Sequence, residues 1–391
     1  MKMRPFAAAL ALTAISLGCA SAQSGSPNAQ QAGAPPCVGR NPHVAVPTAP
    51  HGMYLWLYSL DAGHIVDLFK KYVIGKDPAL CGVSAVVSWS DIEKAQGSFD
   101  FSKVEQNLKP FIDAGLTINL LFAAAGEGKE NNTTPHWVMQ EVPKTFCGGV
   151  HLPIYWNPKF EADWSAFIRR AINYFSHESP IKNQIGYLRF ATGAGAEALP
   201  PPGATGGPCT KLLANHGYSY NVWKAHTLRI LDAMASVQTP HQIIAALPRA
   251  PGGPTPFDLT NAFAAAAAAK HVGLSFESLG AQNVAAPGTK PGRCQPAKLH
   301  WCAAYIKYAG VVPLATQPIT ASRNTNHAKI DLSNLLQYGI DNKIQIFELY
   351  PDEWFQANGA TEWQPYQPAQ QARYKAALQA ASRVLGVAAI K

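Results

Sequence analysis

Along residues 50–350, short apolar runs alternate with longer stretches whose apolar residues recur every three or four positions. The short runs fit strands buried on both faces, and the longer stretches fit helices packed over them, the arrangement of parallel α/β folds. Eight runs read as strands: 53–58, 84–89, 117–122, 185–191, 242–247, 272–279, 311–317 and 344–350. Helical stretches fall between them, among them 62–73, 103–114, 161–175, 220–236 and 259–270. A last helix, 369–385, follows Pro368, whose missing N–H costs nothing in a first helical turn. Eight βα units and a closing helix predict a single (β/α)8 TIM barrel over 46–391. An open doubly wound sheet is the weaker reading, because no GxGxxG-type turn follows the first strand.

The first 45 residues break this alternation. Lys2 and Arg4 precede the apolar run 6–17, and Ala20-Ser21-Ala22 supplies a cleavage site, so 1–22 read as a secretory signal peptide. The run, about twelve residues, is too short to span a bilayer. Export to the periplasm or medium is expected, with lipid anchoring at Cys19 as the weaker alternative. Residues 23–45, rich in Gly, Ala, Ser, Pro and Gln, read as a flexible linker.

Cysteine usage and charge narrow the chemistry. Removing Cys19 from the 7 cysteines leaves an even number in an exported chain, which points to disulfides. They are expected to staple the long βα loops 199–216 and 280–300, with Cys294 and Cys302 the favoured pair. No CxxC or HExxH spacing occurs, so neither a metal site nor a cofactor is implied. The formal net charge is +8, but Lys and Arg are scattered, as on a solvated surface and not a nucleic-acid or membrane patch. Oligomeric state leaves no mark on the sequence.

One segment carries a recognisable phrase. From Trp89 the chain reads Trp-x-x-Ile92-Glu93-x-x-x-Gly97-x-Phe99-Asp100-Phe101-Ser102. It resembles the W-x-x-I-E-x-x-x-G-x-x-D-F-S stretch after the second strand of clan A glycoside hydrolases, nearest to the family 42 and family 35 β-galactosidases. Pro135-His136-Trp137 looks like the P-x-W beside the substrate in those families, and Glu197 stands where they carry the general acid/base. The resemblance runs from about residue 80 to 200. It implies hydrolysis of β-linked bonds in oligo- or polysaccharides. Two departures matter: Ala196 replaces the Asn before the acid/base, and the seventh strand ends in Ala315-Thr316-Gln317 where a nucleophilic Glu belongs. A glutamine cannot form the glycosyl ester, so the inherited mechanism does not transfer intact.

Glycosidic bonds usually break between two carboxyl groups. Glu197, in a loop of Gly and Ala, is the candidate acid/base. Its expected partner, as nucleophile or base, is Glu348, with Glu277 as the competitor. Glu348 shares a period-two face with Ile344 and Ile346, and a carboxylate in such an apolar strand either lines a site or has a partner, here Arg189. Glu277 shares a face with Gly273 and Ser275 and should point into the lumen, where it would bind sugar hydroxyls. A ring of eight strands is about 15 Å across, which puts Glu197 and Glu348 carboxyls roughly 7 Å apart. That lies between the retaining and inverting ranges, so the stereochemical outcome stays open.

Trp56, Tyr58, Trp89, Trp137, Tyr350 and Trp354 fall at or beyond strand ends, where rings would pack on sugar C–H faces, though half of them are expected as core fillers. His136 and Gln317 join them as polar substrate-binding candidates. Glu93 and Asp100 read as structural, Ser102 as a helix N-cap, and Asp352 and Glu353 as a solvated turn. Two alternatives accompany the hydrolase: a carbohydrate-binding barrel without catalysis, and an envelope (lipo)protein handling polysaccharide.

Overall fold

In the computed structural model, residues 50–125, 133–147, 150–193, 210–248, 253–255, 257–279, 301–318, 331–363 and 366–388 are described. The proposed signal peptide, the linker and Glu197 lie outside them.

Eight parallel strands close into a barrel in which each pairs with its sequence neighbours and the last returns to the first. They are β1 (Gly52–Leu57), β2 (Leu80–Ser88), β3 (Thr117–Ala123), β4 (Ile185–Phe190), β5 (Gln242–Ala246), β6 (Gly273–Leu279), β7 (Leu314–Pro318) and β8 (Ile346–Leu349). All eight predicted strands are present, most with ends displaced by one to four residues. Alternation within each strand divides the core. Met53, Leu55 and Leu57 of β1 face outward into the large apolar layer under the helices. Tyr54 faces inward with Leu121, Tyr187, Ile244, Ala315 and Ile346, which fill the lumen.

The helices follow from the same patterning. In α1 (Gly63–Tyr72) the buried side chains are Ile65, Val66 and Phe69. Helix α2 (Pro158–Asn173) opens with proline at its first position, and the Asn157 side chain caps the Lys159 and Phe160 amides at 2.9 and 3.4 Å. Its buried stripe of Phe160, Trp164, Phe167, Ile168, Ala171 and Ile172 has helical spacing. Further along the chain come α3 (Tyr220–Ala235), α4 (Asp258–Ala269), α5 (Trp301–Ile306), α6 (Leu332–Asp341), α7 (Pro351–Ala357) and α8 (Gln371–Ala388). The helix after Phe101 is capped differently from the sequence expectation: Asp100 Oδ1 accepts from the Ser102 amide at 2.9 Å, and Ser102 is already inside the helix.

Two hairpins were not legible in the sequence. Glu93–Ala95 pairs with Ser98–Phe99, and Lys144–Cys147 pairs with Val150–Pro153. Both belong to βα connections, on the face where such barrels carry their sites. Cys81, buried on β2 and not in a long loop, is disulfide-bonded. Cys209 and Cys294 lie outside the described residues, so the stapled loops stay an expectation.

Neighbouring strands approach most closely at Gly82. A Cβ added to Gly82 of β2 would overlap the carbonyl of Thr117 on β3, a backbone group that cannot swing aside. Gly82→Ala is therefore expected to destabilise the fold by about 1–3 kcal/mol. A chemical denaturation midpoint equal to wild type would contradict that packing.

Candidate active site

The lumen changes character along its axis. Its lower part is filled by apolar side chains such as Leu121, Ile244 and Ile346. Above them, towards the C-terminal strand ends, polar side chains from five strands meet: Ser84, Asn119, Tyr187, Arg189, Ser275, Glu277 and Glu348, all buried. Period two places them there, since Tyr187 and Arg189 share one face of β4, and Ser275 and Glu277 one face of β6.

Arg189 is the hub. Its Nη1 donates to Ser275 Oγ at 2.6 Å and to Glu348 Oε2 at 2.9 Å. The same nitrogen lies 3.2 Å from Glu277 Oε1. An Nη nitrogen carries only two hydrogens, and Ser275 and Glu348 occupy both. Glu277 is thus held by charge without a hydrogen bond to its Oε1. Burial pushes the Glu277 carboxyl above its ordinary range, and the Glu348 charge adds to this, while Arg189 and Ser275 pull it back.

Glu348 is fully engaged. It has no exposed surface, and its other oxygen accepts from the Tyr187 hydroxyl. Burial, then the Glu348 charge, holds that phenol well above its usual range, so Tyr187 stays a donor. Tyr187 Oη also lies 3.2 Å from Ser84 Oγ, which accepts from Asn119 Nδ2 at 3.1 Å. A hydrogen-bonded line therefore crosses the lumen from β3 to β6. The Arg189 ion pair, one of the two sequence readings of Glu348, is present. The two glutamates approach one guanidinium nitrogen, so their facing oxygens are at most about 6 Å apart. That resembles a retaining separation, but the guanidinium fills the gap where a sugar would sit.

Above this network are the mouth residues. Gln317 Nε2 donates to Tyr350 Oη at 3.0 Å, and the Tyr350 ring meets Trp56 edge-on at 5.1 Å. Tyr58, half exposed, lies 6.2 Å from Trp56. The buried Trp56 indole N–H has no acceptor. These four side chains form an aromatic and amide wall beside the lumen.

Other candidates sit elsewhere. Trp89 has no exposed surface: its indole donates to Glu93 Oε2 at 2.7 Å and its ring packs on Phe160, Trp164 and Phe167 of α2. Trp354 is equally buried, on α7 against Phe69. Both fill the core between barrel and helices. Trp137 is half-buried, donating to the Glu93 carbonyl at 3.2 Å and meeting Trp89 edge-on. His136, its neighbour, is exposed at the start of the helix His136–Glu141. Glu93 is structural as expected, bridging the Trp89 indole and the Gly97 amide, and burial raises its carboxyl. Asp352 and Glu353 depart from the expected solvated turn. Both are buried in the first turn of α7, and Asp352 accepts from the Trp363 indole at 3.0 Å. A proline-started helix, packed against α1 and α8, replaces the turn.

Sequence reading placed Ser275 on the lumen face with Glu277 but gave it no role, and overlooked Tyr187 and Tyr305. Tyr187 carried a signal, a polar residue at period two with Arg189. Tyr305 carried none. It reaches in from α5 to donate to the Ala315 carbonyl at 2.6 Å, near enough to both glutamates for their charge to add to the upward push of burial on its phenol. Among the described residues, no group of three or more His, Cys, Asp or Glu could hold a metal ion. No described helix is long and apolar enough to cross a membrane.

No protein-family model matches this sequence, and no curated protein is detectably similar to it. Solved structures do match in fold. The catalytic domain of a β-amylase from Paenibacillus polymyxa superposes with a TM-score of 0.53 at 14% identity, over 77% of this chain and 92% of that one. A GH5-4 broad specificity endoglucanase from an uncultured bacterium gives 0.46 at 11% identity, over 86% and 93%. The former likeness supports the barrel and nothing finer.

Proposed function

We propose that this chain is an exported hydrolase of β-linked glycosides, with Glu197 as general acid/base and Glu277 as the second carboxylate. The observation that carries the reading is Glu277 itself: a buried carboxyl near the end of β6 with one oxygen making no hydrogen bond. A buried polar atom without a partner costs stability and persists where function uses it. Glu348 fits a catalytic role less well, because Tyr187 and Arg189 hold both its oxygens and no solvent reaches it. Trp56, Tyr58, Tyr350 and Gln317 would form a platform for a sugar ring, apolar on its face and polar at its rim. The clan A phrase beginning at Trp89 adds a family argument, most of it through residues that build the loop rather than touch the ligand.

Gln317 at the end of β7 favours a second reading, a barrel that binds glycans without cleaving them. One set of measurements separates the two. Wild type and Glu277→Gln are assayed on aryl β-glycosides and titrated with β-linked oligosaccharides. The hydrolase reading expects Glu277→Gln to lose about 10²–10⁴-fold in turnover while still binding. Background rates in both proteins, with binding intact, would replace the hydrolase by the binding barrel.

A further inference from the structure

We infer that Glu348 is a positioning residue that acts through Arg189: by engaging Nη1, it keeps that nitrogen from hydrogen-bonding Glu277 and leaves the buried Glu277 Oε1 without a donor until a ligand supplies one. The inference rests on the reading of Glu277 as a ligand-facing group, and it assigns Glu348 a function other than attack on substrate.

Arg189 Nη1 faces three oxygens within 3.2 Å, from Ser275, Glu348 and Glu277, and has hydrogens for two. The Tyr187 hydroxyl fixes Glu348 from the other side, so the carboxylate cannot rotate away and release the arginine. Two carboxylates then share one cation largely shielded from solvent. Their mutual repulsion falls on Glu277, whose Oε1 has no donor and whose charge burial and Glu348 both oppose. The charged and titratable groups bearing on Glu277 are Arg189 from β4, Glu348 from β8 and Tyr305 from α5, with Ser275 beside it on β6. Tyr305, held on the Ala315 carbonyl, supplies no charge. Glu348 is therefore the residue whose removal changes the balance most. Without its charge, a like charge disappears and the Arg189 cation is no longer shared between two carboxylates. Both changes favour ionised Glu277.

The test reads Glu277 directly and needs no substrate. Its carboxyl band is isolated as the infrared difference between wild type and Glu277→Gln across a pH titration. In a Glu348→Gln background, the midpoint of that band is expected to fall by about one pH unit or more, the effect of removing one neighbouring like charge from a buried carboxyl. An unchanged midpoint, or a rise, would overturn the inference. If Glu348→Gln does not fold, Tyr187→Phe serves. Without the phenol Glu348 is no longer fixed from its far side and can turn from Arg189, which is then shared less, and the midpoint should move down by a smaller amount. Failure of the hydrolase reading would appear in turnover, and failure of this inference in the titration.

Discussion

Arg189→Met is expected to lower the folding free energy by about 3–5 kcal/mol, read as a fall in denaturant midpoint with an unchanged slope. The side chain is almost wholly buried, as is that of Glu348, and their separation is 2.9 Å. Methionine fills much of the same volume but leaves Glu348 a buried carboxylate that keeps the Tyr187 hydroxyl and loses its cation. An uncompensated charge in the lumen is the largest penalty a single substitution can create here. The double variant Arg189→Met, Glu348→Leu should recover most of the loss, because a buried ion pair often contributes little over apolar residues of similar size. A loss below about 1 kcal/mol in the single variant would mean that water reaches the network and that the lumen is not closed. Since a pair of this kind adds little to net stability, its presence directs attention to the mouth, where Glu277 shares the same cation.

How much of this was legible depends on which signal each residue left. Strand positions were readable because buried parallel strands are nearly continuous apolar runs, and all eight of 53–58 through 344–350 correspond to barrel strands. Glu348 and Glu277 stood out because a carboxylate is costly in such a run, and pairing with Arg189 was one of two readings of Glu348. What a single sequence cannot carry is contact across the barrel. Nothing in 185–190 says that Tyr187 will meet residue 348, and nothing in 301–306 says that Tyr305 will reach the Ala315 carbonyl. The aromatics misled for a related reason. Trp89 and Trp354 stand at strand ends in sequence, yet each begins or occupies a helical turn that rotates its ring into the core, whereas Trp56 and Tyr58 stay at the mouth. Asp352 and Glu353 failed likewise: charge suggested solvent, but Pro351 starts a helix that buries them, with both carboxylates in a first turn that favours negative charge.

The second large effect concerns leaving groups. Glu197→Gln is expected to cut turnover of unactivated alkyl β-glycosides by about 10²–10⁴-fold, and of activated nitrophenyl glycosides far less, because only a poor leaving group needs a proton. The chain just past β4 is held firmly in place. The Trp164 indole donates to the Ala191 carbonyl at 2.9 Å, and His226 Nε2 lies 2.9 Å from the Thr192 carbonyl. Glu161 holds the other ring nitrogen of His226 at 2.9 Å and is itself held by Arg229. Two successive carbonyls are thus pinned immediately before Gly193, four residues ahead of Glu197 in the sequence. Comparing Glu197→Gln with Glu277→Gln on both substrate sets assigns the roles. If the dependence on leaving group appears in the Glu277 variant instead, the two carboxyls exchange parts, and the raised proton affinity of Glu277 becomes that of the acid. If neither variant shows it, proton donation comes from neither residue, and the pair does not straddle the bond that breaks.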